Sequence, residues 1–389
     1  MNKPSELPGL GQWHDHTHVP FQVYSDEAIY RRELDEYFYG PFWHPVALQA
    51  EIPNVNDYKS LYIGETPVIA VHSAEGEFSV MVNACAHRGV QLTAEFLGNA
   101  GGFTCPYHGW VFKNDGSLLS TIGEECFPDD YDPANYNLKN LRVETFCGIV
   151  FATFDPAAPS LDDFLGNLKP HMKVVVGGGE RPLKLLGYQK ITFNTNWKLF
   201  MDNDGYHAGI LHAAFRLLDF AGGDGYLEAD GHYGHWGMNY QSKDYEDNGY
   251  LNDPTVVESR SGEQTAAGAC VRPVTQAVRH MDSINFRFAR PMGPNKTEVH
   301  YTYFGFADDD PDLLNHRVRQ GSNLLGPSGF ISIEDSSIFD RSQKAMGYTG
   351  GQMHFLKGMG SNPDINRSSQ NDESVSTVFW ADYKTRMGF

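Results

Sequence analysis

The sequence predicts an α+β protein in which a small antiparallel β domain precedes a larger domain of antiparallel sheet packed with helices. Short apolar or alternating runs, broken by glycine and proline, fill residues 43–154, and this is the pattern of closely spaced strands. The second half mixes strand-like runs with helical stripes. A chain of 389 residues is long enough for two domains with separate cores.

We divide the chain into three segments. Residues 1–42 hold a polar arm and an amphipathic helix, which Ser25 is predicted to cap and Gly40 to end. Residues 43–157 form the small β domain, and residues 158–389 form the larger domain. We assign the arm and its helix to the larger domain, although they precede the small one in sequence.

The strands of the small domain are predicted to be short and joined by hairpins. The predicted strands are Pro45–Glu51, Tyr58–Ile63, Val68–His72, Phe78–Asn83 and Phe146–Phe154. The strongest hairpin signal is Asn114-Asp115-Gly116, which follows an apolar run and supplies residues that tolerate a tight turn.

The larger domain is predicted to open with a linker helix over Leu161–Val176. The strands predicted after it are Leu186–Phe193, Ile284–Arg290 and Val299–Phe306. The predicted helices are Pro311–Leu325, one that begins at about Ser336, and a C-terminal helix with an apolar stripe of Val375, Phe379 and Tyr383. Residues 347–370 are rich in glycine, serine and asparagine and are predicted to form a long loop.

The composition excludes several classes of partner. A formal net charge of −19 argues against nucleic acid and anionic membrane surfaces, because proteins that bind them are basic. The first twenty residues contain no apolar core of signal-peptide length, and no apolar run approaches a membrane span. The five cysteines do not follow the spacing of a disulfide framework. We therefore expect a cytoplasmic protein.

Two Cys/His pairs lie close together in the small domain. They are Cys85 with His87 and Cys105 with His108, and seventeen residues separate His87 from Cys105. Gly89 and Gly109 follow the pairs and allow each to sit on a tight loop. The alternation of Cys and His resembles the Rieske [2Fe–2S] signature. The alternative is a structural zinc site, although zinc fingers place the two cysteines together and the two histidines together.

A second group of metal-binding residue types lies in the larger domain. His207 and His212 are five residues apart, which is about 140° on a regular helix, so joint metal binding requires local unwinding. Two histidines and a carboxylate form the facial triad of non-haem Fe(II) oxygenases. Asp335 is our candidate for the carboxylate and Glu334 the alternative, unless both acids only cap the following helix.

Together these motifs resemble those of the large (α) subunits of Rieske non-haem iron ring-hydroxylating oxygenases. The chain is most similar to the branch that acts on aromatic carboxylates, such as terephthalate, salicylate and anthranilate. The matching stretches are C-A-H-R-G, C-P-Y-H-G-W, N-W-K, D-N-D-G-Y-H-A-G-I-L-H and G-P-S-G-F-I-S-I-E-D. The resemblance implies that the larger domain is a catalytic domain with a helix-grip-like fold.

The resemblance also implies residue roles. The [2Fe–2S] ligands would be Cys85, His87, Cys105 and His108, and the mononuclear Fe(II) ligands would be His207, His212 and Asp335. Asp204, three residues before the first iron-binding histidine, would link the cluster of one subunit to the iron of its neighbour. The family usually has a longer insert before this acid, so the local helix register in this chain is open.

The implied partners are an electron-transfer chain and further subunits. NADH would act only through a separate reductase, with or without a ferredoxin, and O2 would be the co-substrate. The glycine run Gly177-Gly178-Gly179 lacks the register of a dinucleotide-binding loop, so no nicotinamide site is expected in this chain. The family forms α3 trimers, often with small β subunits as α3β3.

A carboxylate substrate requires a cation in an otherwise apolar pocket. Arg287 is the best candidate and matches an arginine of the terephthalate-type relatives, although a structural ion pair is the alternative. Arg279 and Arg290 are weaker candidates for this cation. Four residues that flank the iron ligands are candidates for lining the substrate pocket, namely Phe200, Met201, Asn203 and Ile210. His232 and His235 are expected to have core or hydrogen-bonding roles rather than to bind a metal.

We therefore expect a terminal oxygenase that uses O2 and NADH-derived electrons to hydroxylate an aromatic ring, in particular that of an aromatic carboxylate. One alternative is a Rieske monooxygenase that demethylates N- or O-methyl groups with the same metals. The other is a plain Rieske electron carrier, which would need only the small domain and would contain equal amounts of iron and sulfide.

Overall fold

The computed structural model describes residues 13, 15–203, 224–227, 232–236, 254–256, 258–262, 266–348, 350–357, 367–369 and 373–389. These residues fall into two compact units. The small unit is Tyr37–Phe164, and the large unit combines Met1–Glu36 with Leu165–Phe389. Among the described residues no helix is long and apolar enough to cross a bilayer.

The described strands, in chain order, are β1 (His18–Pro20), β2 (His44–Leu48), β3 (Asp57–Ile63), β4 (Thr66–Ala74), β5 (Glu77–Val82), β6 (Leu97–Asn99), β7 (Phe103–Thr104), β8 (Val111–Phe112), β9 (Leu118–Ser120), β10 (Arg142–Phe146), β11 (Ile149–Thr153), β12 (Leu183–Phe193), β13 (Asp224–Leu227), β14 (Tyr233–Trp236), β15 (Ala266–Val271), β16 (Thr275–His280), β17 (Ser283–Pro291), β18 (Thr297–Phe306), β19 (Gln352–His354) and β20 (Arg367–Ser369). The described α-helices are α1 (Glu27–Glu33), α2 (Leu161–Leu165), α3 (Lys169–Val175), α4 (Trp197–Asp202), α5 (Pro311–Gln320), α6 (Ser332–Ala345) and α7 (Ser374–Met387).

The small unit consists of three short antiparallel sheets, with strand orders β10-β11-β2, β5-β4-β3-β6 and β7-β8-β9. The predicted hairpin at Asn114-Asp115-Gly116 is confirmed, because it joins β8 to β9 and Gly116 has a positive φ of 83°. The core of this unit includes Tyr58, Met81 and Trp110.

An eight-stranded antiparallel sheet forms the centre of the large unit, in the order β12-β18-β17-β16-β15-β14-β13-β20. Helices pack on both of its faces. Phe193 of β12 contacts Phe200 of α4 and Phe339 of α6, with ring centroids 6.2 Å and 5.6 Å apart. The other face meets α3, where Arg279 Nη1 donates to Val174 O at 3.3 Å. The predicted α+β class with antiparallel sheets is confirmed.

Several predicted boundaries are corrected. Asp26, not Ser25, caps α1, because its carboxylate accepts from the backbone N–H groups of Ala28 and Ile29. The predicted linker helix is divided, with a 3₁₀ turn at Gly166–Leu168 between α2 and α3. The helix predicted from about Ser336 begins four residues earlier as α6. Residues 347–370 are not one long loop, since they contain β19 and β20.

Candidate functional site

The two Cys/His pairs lie on two loops with the same backbone design. In the first loop the N–H of Cys85 donates to Val90 O at 2.8 Å, and the N–H of Gly89 donates to Cys85 O at 2.8 Å. In the second loop the N–H groups of Cys105 and Gly109 make the corresponding bonds, at 2.7 Å and 3.0 Å. Gly89 and Gly109 have φ values of 72° and 70°, so the predicted glycine turns are confirmed.

The four side chains are arranged as a buried thiol pair and a more exposed imidazole pair. The thiols of Cys85 and Cys105 are neighbours within the apolar core of the small unit, and burial raises the pKa of the Cys85 thiol, with Cys105 adding to the shift. The rings of His87 and His108 lie 4.6 Å apart, and His87 is exposed.

This division fits a Rieske cluster better than a single metal ion. A Rieske cluster needs two thiolates on one iron and two imidazoles on the other, which are two separate ligand pairs. A zinc site would require all four donors around one ion.

Helix α4 leads into the segment where the mononuclear iron ligands are predicted. Asn196 caps this helix, with its side chain accepting from the N–H of Lys198 at 3.0 Å. Phe200 and Met201 are buried within α4, and Asn203 follows its last residue. The remaining predicted site residues of this segment lie outside the described residues, namely Asp204, His207, Ile210 and His212.

A buried ion pair fixes the first turn of α4. Lys198 Nζ donates to Glu33 Oε1 at 2.5 Å, and both side chains are fully buried. Trp197 Nε1 donates to Glu33 Oε2 at 2.8 Å, and the hydroxyl of Tyr383 also donates to Glu33. Burial lowers the pKa of the Lys198 ammonium, and Glu33 opposes that shift. Residues of α1, α4 and α7 therefore share one carboxylate, and two of its donors belong to the N-W-K motif.

Replacement of Glu33 by glutamine should strongly destabilise the protein. The substitution leaves the Lys198 ammonium buried without its counter-ion, which costs about 3 to 5 kcal/mol in comparable pairs. Denaturant unfolding followed by tryptophan fluorescence would measure the loss. The control is Glu36→Gln, which breaks the partly exposed Arg32–Glu36 pair and should cost under about 1 kcal/mol. Equal losses in both variants would contradict the proposed anchoring.

The last residue of α4 is held by a second set of buried partners. The hydroxyl of Tyr24 donates to Asp202 Oδ2 at 2.7 Å, and Trp380 Nε1 donates to Oδ1 at 3.2 Å. Burial raises the pKa of Asp202 to about 6, while Tyr24 and Arg272 oppose the shift. Both ends of α4 are thus fixed immediately before the segment that carries the predicted iron ligands.

Asp335 lies in the first turns of α6, close to the sheet face that α4 also covers. The guanidinium carbon of Arg287 lies 5.5 Å from the centre of the Tyr301 ring. Burial raises the pKa of the Tyr301 hydroxyl, Arg287 opposes the shift and Asp335 adds to it. Glu334 lies one residue earlier, about 100° around the helix, so its side chain points in a different direction. This placement favours Asp335 over Glu334 as the acid that faces the site.

Arg287 and Asn285 form a pair of donors on this same face. Successive side chains of a strand alternate, so residues 285 and 287 point to one side, opposite Tyr303 and Tyr301 on β18. Arg287 Nε donates to Asn285 Oδ1 at 3.1 Å, which turns the amide so that Nδ2 is free to donate elsewhere. Arg287 Nη2 and Asn285 Nδ2 are both buried and lack a hydrogen-bond partner among the described residues.

The sequence interpretation missed Asn285 as a functional candidate. Its two-residue separation from Arg287 in a predicted strand was the signal that could have identified it. The same alternation places the weaker candidates Arg279 and Arg290 on the opposite face, where Arg290 lies 3.6 Å from Glu298. They therefore do not share a face with Arg287.

The hydrogen-bonding role expected for His232 is confirmed, because its Nδ1 accepts from the N–H of Arg272 at 3.0 Å.

Two segments of the chain, one in each unit, match known protein-family models. Residues 42–129 match the Rieske [2Fe-2S] domain, and residues 181–370 match the catalytic domain of the ring-hydroxylating alpha subunit. The second match excludes a plain electron carrier, which would lack this domain.

Similar proteins extend the match over nearly the whole chain. The large subunit of anthranilate 1,2-dioxygenase from Burkholderia cepacia is 32% identical, over 96% of this chain and 94% of its own. The alpha 2 subunit of the terminal oxygenase component of terephthalate 1,2-dioxygenase from Comamonas sp is 30% identical, over 97% of both chains. A structure of naphthalene 1,2-dioxygenase with indole bound has a TM-score of 0.83 at 21% identity, over 98% of this chain and 94% of that one. The chain therefore belongs to the large (α) subunits of the Rieske non-haem iron ring-hydroxylating oxygenases.

Proposed function

We propose that this chain is the terminal oxygenase that hydroxylates the ring of an aromatic carboxylate, with O2 as co-substrate. The observation that carries the substrate class is the donor pair of Arg287 and Asn285, whose Nη2 and Nδ2 atoms are buried without partners among the described residues. Buried donors of this kind are costly unless a ligand accepts from them. A carboxylate offers two acceptor oxygens and a compensating charge. Anthranilate and terephthalate, named for the two relatives, are aromatic carboxylates.

The metal roles follow the same proposal. Cys85, His87, Cys105 and His108 would hold the [2Fe–2S] cluster, and His207, His212 and Asp335 would hold the mononuclear Fe(II). When bound, the Fe(II) supplies open coordination positions at which O2 reacts. The protein itself orients the ring, because Arg287 and Asn285 hold the carboxylate while the aromatic side chains of the same sheet face exclude water.

Electron supply and assembly complete the proposal. A reductase, with or without a ferredoxin, would bring electrons from NADH, and Asp204 would accept hydrogen bonds from a cluster histidine of one subunit and an iron-binding histidine of its neighbour. This requires an α3 trimer, alone or as α3β3 with a small β subunit. A cytoplasmic location is supported by the cysteine spacing, which does not follow a disulfide framework.

An oxygen-uptake screen of aromatic acids, with a surrogate reductase and identification of the products, tests this function. A cis-dihydrodiol or a phenol is the expected product. Release of formaldehyde from methylated substrates, without ring hydroxylation, would instead identify a demethylating monooxygenase.

Replacement of Arg287 by glutamine should raise the KM for the aromatic carboxylate about 10- to 100-fold, because a hydrogen bond to a charged group contributes about 1.5 to 3 kcal/mol. Steady-state oxygen uptake measures this change. Arg290→Gln is the matched control, since it removes the same charge from the opposite face of β17. Equal effects of the two substitutions would contradict a carboxylate site at Arg287.

A further inference from the structure

A continuous set of aromatic rings connects one candidate cluster ligand to the surface of the small unit. The ring of Trp110 stacks on that of His87, with centroids 4.9 Å apart and planes 7° from parallel. Trp110 is itself buried and contacts Tyr136 and Phe127 at 5.8 Å and 6.2 Å. Tyr131 stacks on both of these rings, at 5.1 Å and 4.1 Å. These contacts lead from the cluster position to the outside of the unit.

The outer end of this set lies in an exposed apolar surface. A groove of about 310 Å³ is lined by Leu119, Phe127 and Tyr131 among others. Leu119 is 58% exposed and the neighbouring Ile122 is 74% exposed. Exposed apolar side chains grouped in this way are typical of a surface that contacts another protein. We call residues 118–136, which contain this groove, the entry surface.

The entry surface is acidic. Its sequence contains no lysine or arginine, and its acids are Glu124, Glu125, Asp129, Asp130 and Asp132, all of them exposed. The charge at the imidazole edge has the opposite sign, because Arg88 follows His87 directly in the sequence and both residues are exposed. The candidate cluster site therefore has an acidic aromatic surface on one side and a cationic edge on the other.

We propose that the entry surface is the docking site of the electron donor, and that this donor is a redox protein with a basic docking face. The inference rests on the proposed function, since it assumes that the Cys/His pairs hold a [2Fe–2S] cluster. One electron leaves the reduced donor and reduces the oxidised cluster, and no bond is made or broken. Trp110 and the rings around it lie between donor and cluster, while the imidazole edge stays open for the neighbouring subunit.

The charge of the entry surface determines which kind of partner face it attracts. Its five exposed acids, with no lysine or arginine among them, repel an acidic partner face. A basic face is attracted instead, and such steering raises association rates by about 10- to 1000-fold at low ionic strength.

The test measures outer-sphere oxidation of the reduced cluster by two complexes of equal and opposite charge. These are tris(1,10-phenanthroline)cobalt(III), a 3+ cation, and hexacyanoferrate(III), a 3− anion, followed in a stopped-flow instrument through the cluster absorbance. In the holoprotein, Asp129→Asn/Asp130→Asn should slow the reaction with the cation about five- to tenfold at low salt and should not slow that with the anion. The difference should vanish near 1 M salt, where the Debye length is about 3 Å.

A matched control removes two charges elsewhere on the small unit. Glu75→Gln/Glu77→Gln, on the hairpin between β4 and β5, should leave both rates unchanged. Tyr136→Leu should slow the reaction with the cation while leaving the visible spectrum of the cluster intact. Unchanged rates in the Asp129/Asp130 variant, or equal changes in the control, would overturn the proposal.

Two other outcomes distinguish the proposal from the function on which it rests. If the Asp129/Asp130 substitutions dissociate the oligomer in analytical ultracentrifugation, the entry surface contacts a second copy and the donor site is refuted. The oxidation is measured without an aromatic substrate, so failure to hydroxylate any aromatic acid would refute the proposed function but not the donor site. A purified protein without the Rieske absorption would overturn both.

Discussion

The Asp335→Ala protein should retain the visible absorption of the Rieske cluster and lose the mononuclear iron. Asp335 belongs to α6 of the large unit, whereas the candidate cluster ligands all belong to the small unit. Changing even a residue behind a metal ligand lowers affinity or activity about 10- to 100-fold, so loss of the ligand should lower turnover by at least about 100-fold. Metal analysis should show one iron fewer per chain.

Glu334→Ala is the control for this experiment. Glu334 and Asp335 are adjacent acids in the first turns of α6, so both substitutions remove one charge and disturb the helix dipole similarly. Glu334→Ala should retain the full iron content. If Glu334→Ala loses the iron and Asp335→Ala keeps it, the ligand assignment is reversed.

The Asp204→Ala protein should contain both metal centres and fail to turn over. If Asp204 links a cluster to the iron of the next subunit, its removal breaks the electron path without removing a metal ligand. In a single-turnover experiment the reduced cluster should remain reduced after O2 and substrate are added, whereas in the unmodified protein it should be reoxidised. Prompt reoxidation in the variant would refute the relay.

Mixed oligomers test whether the path runs between subunits. Cys85→Ser removes a cluster ligand and Asp204→Ala removes the relay, so each variant alone should be inactive. In an oligomer reconstituted from both, the cluster of an Asp204→Ala chain can supply the iron of a neighbouring Cys85→Ser chain, and activity should return. His108→Ala replaces Cys85→Ser if the serine variant does not fold. A mixture that stays inactive would place the path within one chain.

Local features were the most predictable from the sequence. Gly89 and Gly109 follow their Cys/His pairs, and the need for a positive φ at a tight turn is a property of a few neighbouring residues. The cap of α1 was misplaced by one residue, because Ser25 and Asp26 are both good caps and only the backbone geometry decides between them.

Pairings between distant segments could not be predicted in the same way. The donors to Glu33 come from α4 and α7, which are separated from it by up to 350 positions in the sequence. By contrast, the alternation of side chains along a strand can be predicted from the sequence, and it places Arg287 and Arg290 on opposite faces of β17. The sequence does not show which of these two faces is turned toward the iron site, because that depends on which helices cover each face. The spacing of Asn285 and Arg287 places them on one face, but the direction in which the Asn285 amide donates is shown only by its contact with Arg287.

The shared carboxylate of Glu33 has a consequence for biosynthesis. The small unit is continuous in sequence, so all of its strands have left the ribosome long before the chain is finished, and it is able to collapse and acquire its cofactor early. The large unit is different, because Glu33 is translated near the start and Tyr383 near the end. Until then Glu33 lacks one of its three donors, so the buried network around Lys198 is completed only when the last helix has been made.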